Sequence, residues 1–600
     1  MQERNGYREN LFCPDLTKSN IMYNGLKSFI SSILNFHPWK FSFSICLVVL
    51  SGLTEGLALT SVLPLLTSLD STGGISPPEN SNIIFSALNK LTIWLHLPTG
   101  PIGSASLIVI FVALSGAFFL AQARILSRLQ FNYVVHLQKT LFKNLLAAGP
   151  RVLETSRSGE LVSALVTEAS RVSGAFYHLC IVLASMLNLI IFATVAFFIS
   201  IKITVSVLLI GSLLFAMTRP LLKKAYSYGE KISQLQSEIH TLSSETLSQI
   251  KSIKIANVEE IISSDFQKHA QELGNNHFAN AFDIQKARAV FEFGGAIGVS
   301  LVIVLGAFTF NIQTATIIVI LAIFVRLLPR VTALQQGIQA LNNLLPSKHT
   351  IDELNDLAYS LRERNGPNAK RIEFKKQPPS IKLSKVTVKK QEKFIIKDVD
   401  IFVPAGTFTA IVGLSGAGKS TIIDVCTGIT KIESGGVYFN EQELSELQLC
   451  VLREQIGYVG QTNYLFSGTV KQNISFGRPV SNHELRKGIS MASAEFVWGL
   501  ENGIDTPIGE KGVNLSSGER QRISLARAFS SPRNMYFLDE ATSALDSETE
   551  GKIIEAISEL KGNSTIVMVA HRFSALKNAD FIYVVENGQI VESGDRKSVV

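Results

Sequence analysis

The sequence predicts two fold classes joined in one chain. A membrane all-α half, six transmembrane helices with long cytoplasmic extensions, is followed by an α/β P-loop ATPase domain. Three observations predict it. Hydrophobic residues make up 46% of the chain, high for a protein dissolved wholly in water, and they concentrate before about residue 340 in runs long enough to cross a bilayer. From about residue 370, short apolar strands alternate with amphipathic helices, the rhythm of a mostly parallel sheet. Within that second region FTAIVGLSGAGKSTIIDVCTGI reads as strand, glycine loop and helix, the setting a phosphate-binding loop needs. Single cores stop growing near ~250–300 residues, so 600 residues imply several units. We expect an N-terminal tail and interfacial helix over 1–40, a transmembrane domain over 41–345, a linker over 346–369 and an ATPase domain over 370–600.

The first twenty residues are too polar for a signal peptide, which places the N-terminus in the cytoplasm. In LKSFISSILNF, Leu26, Phe29, Ile30, Ile33 and Leu34 share one helical stripe. That stripe suits a helix lying in the membrane interface, although an ordinary buried amphipathic helix carries the same pattern. Six apolar runs follow, near 41–67, 104–123, 178–200, 203–222, 288–310 and 315–336. Basic residues set their orientation. Arg124 and Arg128 close span two and Arg219, Lys223 and Lys224 close span four, whereas the opposite side has only Lys90 and Lys202 and nothing charged over 310–314. A multi-pass protein of the inner (cytoplasmic) membrane, in contact with membrane lipids and with both termini and the ATPase domain in the cytoplasm, is the expectation.

The same asymmetry accounts for the net charge of +7; no block of like charge appears, and nucleic acid is not an expected partner. Cys13, Cys46, Cys180, Cys426 and Cys450 are widely spaced with no CxxC pair, which indicates neither a zinc site nor a disulfide framework. Spans two and three, and four and five, are joined by long, mostly polar, helix-compatible segments that must project into the cytoplasm. Their turning points, 149–161 and 242–255, are places where another domain could dock.

Two features of the membrane half resist a purely structural account. In span six, IFVRLLPRV sets Arg326 and Arg330 one helical turn apart on one face. A buried arginine there costs on the order of 3 kcal/mol and ordinarily faces a watery cavity or a partner. Glu55, in GLTEGLALTSVLPLL of span one, is the candidate partner. Either a Glu55–arginine ion pair locks the bundle, or Arg326, Arg330 and Glu55 line a cavity that holds an anionic group such as a phosphate. Pro64 and Pro329 are expected to kink their helices, which transporters tolerate beside cavities.

In the ATPase half, Gly413, Gly416 and Gly418, with Ser415 and Ala417 between them, let the backbone curl so that its N–H groups face phosphates at a helix N-terminus. Lys419 would neutralise the β and γ phosphates of ATP; the Ser420 hydroxyl, beside Thr421, would ligate Mg²⁺. NMYFLDEATSALD ends a strand on Asp539, suited to the Mg²⁺ shell, and Glu540, placed to polarise the attacking water as general base. His571, after the strand-like TIVMVA, would sense the γ-phosphate, and Gln461 in IGYVGQ would sense Mg²⁺ and the water. LSSGERQR then sets Ser516 and Gly518 at a second helix N-terminus, again an anion site. One phosphate loop already serves its own triphosphate. A second is accounted for if it caps the nucleotide of another subunit, so that two domains facing head to tail sandwich two ATP molecules.

The order of GLSGAGKST, YVGQ, LSSGERQR, FLDEATSALD and AHR resembles the ATP-binding cassette (ABC) transporter family, and six spans before the cassette are similar to its exporter-type half-transporters. The resemblance implies a Walker A over 413–421, a Q-loop at Gln461, a signature over 515–519, a Walker B at Asp539 with catalytic Glu540, a D-loop over 543–546 and an H-loop at His571. It also implies that GEKG at 509–512 meets the partner's cytoplasmic loops, that the two turning points are coupling helices, and that the partner is a second half-transporter, most simply an identical copy. Ser517 and Glu519 stand where the family usually has glycine and glutamine, departures that leave backbone N–H groups and Ser516 in place. Lys390 stands where the resemblance implies an aromatic stacked on adenine, so that either Phe394 substitutes or the nucleotide is held more weakly, and VESGDRKSVV stops where relatives usually continue with a short helix, as a truncated or altered C-terminus would. TEGLALTSVLPLL and VRLLPR look similar to lipid-linked oligosaccharide flippases; peptide or drug export, or a non-transporting membrane regulator, are the rival readings. Intact Lys419, Glu540 and His571 argue against the last of these, and the apolar spans against a soluble cassette protein.

Overall fold

The computed structural model describes residues 18–62, 65, 90–98, 101–199, 201–304, 314–363, 370–371, 374, 377–390, 393–509, 512–570 and 572–595. They fall into two units, Met1–Arg362 and Glu363–Val600. Pro64, the loop over 68–89, the turn over 310–313, Glu510, Lys511, His571 and the last five residues lie outside the described residues.

The first unit is helical. Helix α1 (Lys18–Phe36) leads into α2 (Pro38–Thr60), which opens on Pro38, whose fixed φ suits a first helical position. Then come α3 (Pro101–Ala148), the short α4 (Arg151–Thr155) and α5 (Ser158–Ser163), a π-helical turn over Ala164–Glu168, and α6 (Ala169–Ile199). Next are α7 (Ile201–Ser248), α8 (Ile250–Ala256), α9 (Glu259–Val304) and α10 (Thr314–Ser360). Among the described residues four helices are long and apolar enough to cross a membrane: Pro38–Thr60, Pro101–Ala148, Ser158–Phe197 and Thr204–Ser248. They coincide with the first four expected spans. The fifth and sixth fall on α9 and α10, whose facing ends run into 305–313, outside the described residues.

Helices α3 and α7 are 48 residues each. At ~1.5 Å per residue they far exceed the ~30 Å hydrocarbon layer, so each carries a long polar extension. The chain reverses where the sequence turns polar, through α4 and α5 at one point and α8 at the other, with Gly149 (φ 69°) and Asn257 (φ 54°) in the left-handed conformation that breaks a helix. The apolar stripe of α1 is spent on packing: Phe29 and Ile33 are fully buried, Phe29 facing Tyr133 at 6.3 Å between ring centroids, and Leu34 is the stripe residue left exposed. The alternative reading of a buried amphipathic face therefore describes this helix better than a stripe turned to lipid.

Below the spans, three helices are joined by one arginine. Arg171 on α6 donates to Ser233 Oγ (2.9 Å) and Gly229 O (3.2 Å) on α7 and to Asn343 O (3.1 Å) on α10, and lies 3.8 Å from the buried Glu168 carboxylate. Ser233 in turn donates to Glu168 at 2.8 Å. The helices approach so closely here that a Cβ at Gly229 would sit 1.9 Å from Asn343 O, which only glycine permits.

The second unit holds β1 (Ile381–Lys390), β2 (Lys393–Val403), β3 (Phe408–Gly413), α11 (Lys419–Cys426), β4 (Ser434–Phe439), β5 (Gln442–Glu443), α12 (Leu449–Glu454) and β6 (Ile456–Val459). It continues with β7 (Gly468–Thr469), α13 (Val470–Ser475), α14 (Asn482–Met491), β8 (Pro507–Ile508), α15 (Ser517–Phe529), β9 (Met535–Asp539), α16 (Ser547–Ser558), β10 (Thr565–Val569), α17 (Phe573–Asn578), β11 (Phe581–Glu586) and β12 (Gln589–Asp595). An antiparallel sheet runs β2-β1-β4-β5, and a six-stranded sheet runs β12-β11-β3-β10-β9-β6. In the latter β11, β3, β10, β9 and β6 are parallel and β12 is an antiparallel edge. Every residue of β9 and β10 is buried, as a parallel strand covered on both faces requires.

Removing Arg171 leaves the buried Glu168 charge unpaired, which typically costs about 3–5 kcal/mol, while removing both charges costs far less. Arg171→Met is therefore expected to lower the thermal unfolding midpoint of the detergent-solubilised protein more than Arg171→Met combined with Glu168→Gln.

Candidate active site

Parallel strands end on one edge of a sheet, and the candidate residues gather there. Strand β3 ends on Gly413 (φ 152°), and the loop that follows curls through Gly416 (φ 79°) and Gly418 (φ 100°) into α11. Glycine is required by space as well as by φ: a Cβ at Gly413 would lie 2.1 Å from Val585 O, and one at Gly418 2.7 Å from Ile396, whereas the Gly416 position opens onto free space. Ser415 is exposed, Ala417 is buried and Ser420 and Thr421 are half-buried in the first turn of α11. Lys419 is 5% exposed and its Nζ donates to Gly413 O and Leu414 O, both at 2.8 Å, folding the ammonium back over the loop. Burial pulls its pKa below the ordinary lysine value, against the opposing attraction of Glu540 and Asp539.

Asp539, 4% exposed, closes β9, and Glu540 turns away from the strand in a left-handed conformation (φ 50°). Gln461, in the segment after β6, donates from Nε2 to Glu540 Oε1 at 3.2 Å, so two sequence-distant candidates meet. Asp424 on α11 is pushed up in pKa, first by burial and then by the like charge of Asp539. A buried carboxylate, an ammonium, a half-buried hydroxyl and a glycine loop of inward-curling N–H groups fit a polyphosphate with its hard divalent cation, which takes one or two protein oxygens and completes its shell from phosphate and water.

Ser516 caps α15. Its Oγ accepts from Glu519 N (3.2 Å), and its own N–H and hydroxyl donate to Glu519 Oε2, both at 2.8 Å, a closed capping box. The Ser516 backbone bond is the main reason the Glu519 carboxyl is held below the usual carboxylate range. The sequence reading treated Ser516 as available to an anion; in the structure it is already engaged, and a carboxylate sits at the helix N-terminus. Strand β2, which carries the half-exposed Phe394, runs beside the phosphate loop through Ile396, while Lys390 pairs with Lys393 across the β1–β2 hairpin.

In the membrane unit, Arg330 donates to Glu55 Oε2 at 3.2 Å, and Arg326 lies 3.5 Å from Oε1 of the same carboxylate. The Arg326 side chain is 59% exposed and that of Arg330 39%.

Residues 396–543 match the ABC transporter family model, and residues 98–331 match that of the ABC transporter transmembrane region. The chain belongs to the ABC transporter family. It is similar to the heterocyst differentiation ATP-binding protein HepA of Nostoc sp., 28% identical over 78% of this chain and 77% of that protein. It is also similar to the ATP-dependent lipid A-core flippase of Photorhabdus laumondii, 28% identical over 78% and 81%. A solved bacterial Atm1-family ABC exporter with ATP bound shares the fold, with a TM-score of 0.78 at 21% identity over 94% of this chain and 96% of that one. This ABC exporter half-transporter is thus a membrane protein that binds ATP and couples its hydrolysis to transport.

Sequence reasoning passed over two residues of the cassette. Gln521, within LSSGERQR, is fully buried against the Glu540 turn, and Arg572 donates to Leu545 O (3.0 Å) and to buried Glu550 (2.6 Å). Gln521 was findable: it lies one turn before Leu525 on the apolar stripe of α15, where a polar side chain needs an internal partner.

Glu519→Gln keeps an acceptor for the capping box and removes the charge. If a nucleotide docks at α15, the KM for ATP is expected to fall about two- to five-fold, the equivalent of ~0.3–1 kcal/mol at a helix terminus. An unchanged KM at neutral pH would show that no anion approaches. Because the folded pKa of Glu519 is depressed, the cap it makes is complete at neutral pH and is lost as pH falls through that lowered value.

Proposed function

We propose that this exporter works as a homodimer in the cell's inner membrane, with six spans per copy, and moves an anionic lipid outward, a lipid-linked oligosaccharide being the fitting class. The observation that carries the reading is the sharing of Glu55 by two arginines that remain partly exposed. Two cations on one carboxylate leave a positive excess within the membrane, and an anionic head group such as a pyrophosphate offsets it. A relative named as a lipid A-core flippase supports a lipid cargo.

In the cassette, Glu540 is the general base for water and Gln461, hydrogen-bonded to it, aligns base and water. The 413–421 loop and Lys419 would hold the phosphates, and Ser420, Asp539 and Gln461 would hold Mg²⁺. Mg²⁺, when bound, supplies charge neutralisation at the β and γ oxygens. Ser516 and Gly518 act on the nucleotide of the other copy, Phe394 takes the adenine in place of Lys390, and His571 contacts the γ-phosphate. The helices α4, α5 and α8 are the docking points that pass closure of the cassettes to the spans, biasing a two-state membrane half.

Glu540→Gln is expected to lower ATP turnover by about 10²–10⁴-fold with ATP binding retained, the range of a lost general base; unaltered turnover would remove Glu540 from that role. Arg326→Ala and Arg330→Ala are expected to abolish stimulation of ATPase by lipid-linked oligosaccharide in nanodiscs while basal turnover stays within about two-fold. Full stimulation in both variants would exclude the anionic-lipid reading.

A further inference from the structure

Glu540 is a non-glycine residue held at φ 50°, a conformation that persists only where its surroundings over-determine it. Its N–H donates to Val569 O at 3.3 Å, its carbonyl accepts from Ser543 N at 3.1 Å, and the same carbonyl accepts from Gln521 Nε2 at 3.0 Å. Gln521 is 0% exposed, and its other end is also used: Oε1 accepts from Ala544 N at 2.9 Å. One amide therefore grips both ends of the turn 540–544. Gln521 belongs to α15, whose first turn rests on the same segment, since a Cβ at Gly518 would lie 3.1 Å from Ala544 O. The helix that begins at Ser516 is thus tied, through a single buried side chain, to the peptide that aims the Glu540 carboxylate.

We propose that Gln521 is a positioning residue for ATP hydrolysis. It fixes the Glu540 peptide and transmits displacement of α15, on closing over one nucleotide, to the general base that acts on the other. This rests on the reading of Glu540 as base and of α15 as the cap of the second copy's nucleotide. The amide is suited to the task because donor and acceptor ends address different atoms: a glutamate of the same shape keeps the acceptor for Ala544 N and loses the donor to Glu540 O.

The test compares Gln521→Glu, Gln521→Met and Glu540→Gln in the full-length protein in nanodiscs, measuring kcat, KM for ATP and equilibrium binding of a fluorescent ATP analogue. Both Gln521 variants are expected to lose about 10–100-fold in kcat, the order that a misplaced catalytic group costs, with KM and analogue binding within about two-fold. Neither is expected to add a further loss on top of Glu540→Gln, as residues acting through one another do not add. The proposal is overturned if Gln521→Glu keeps more than half of kcat, if the losses multiply with that of Glu540→Gln, or if analogue binding disappears together with turnover in both variants, which would mark a purely structural role. Should Glu540→Gln itself retain turnover, the base assignment fails first and independently of Gln521.

Discussion

A strand buried over its whole length has to deliver charge at its end. β9 lies between β10 and β6 with all five residues out of water, yet its last residue is an aspartate and the next a glutamate. Burying a carboxylate without compensation is prohibitive, so the surroundings of Asp539 are constrained from the outset. The nearby cation is Lys419, itself buried, whose own desolvation outweighs the attraction of Glu540 and Asp539. Lys419 can stand there only because the glycine loop turns between β3 and α11 in space that no side chain could share. The apolar sheet, the glycines and the charges are therefore one arrangement; the parallel order brings Gln461 and Glu540 to the same edge, and Asp424 beside them is raised in pKa by its own burial first and then by the like charge of Asp539.

Two groups of charge in the membrane unit, Arg171 with Glu168 and Arg326 and Arg330 with Glu55, contrast informatively. Arg171 is 11% exposed, and its donors are taken by a serine hydroxyl, a glutamine and two backbone carbonyls on neighbouring helices, with Glu168 beside it. Such a group engages three helices at once and holds them together. Arg326 and Arg330 divide a single carboxylate and keep much of their surface open. Charge that closes on itself serves the bundle, whereas charge left in surplus can meet an anion, which is the physical ground on which the second group is proposed as a binding site.

Much of this was legible in the sequence, because its local signals are strong. The glycine loop falls between a strand and a helix, Asp539 closes its strand, the first four apolar runs are helices long enough to cross a membrane, and the polar stretches 149–161 and 242–255 are where those helices break. Less was legible where two elements compete for one side chain. The stripe of α1 reads the same whether it meets lipid or protein, and only tertiary packing against Tyr133 resolves it. Ser516 carries a motif in which an anion site and a capping box use the same atoms, and in the structure Glu519 completes the box. Gln521 and Arg572 are harder to read for a related reason: the apolar stripe of α15 marks Gln521 as needing an internal partner without saying that the partners are backbone atoms of a turn, and Arg572 meets a backbone carbonyl and the sequence-distant Glu550.

The phosphate-loop helix shows how the cassette divides rigidity from freedom. α11 begins in the loop and ends on Thr427 and Gly428, whose carbonyls would be orphaned at a helix terminus. Arg453 takes both, at 3.1 and 3.0 Å, and its remaining face holds Glu363 in a bidentate pair at 2.6 and 3.0 Å. A planar guanidinium can satisfy two carbonyls and a carboxylate at once, which the point charge of a lysine cannot. With α11 fixed at its far end, the loop at its near end cannot adjust by sliding the helix. The turn from Glu540 to Ala544 is likewise tied at both ends, to Val569 and to Gln521, so adjustment to nucleotide is left above all to the side chain of Gln461, whose geometry with Glu540 decides whether water is attacked.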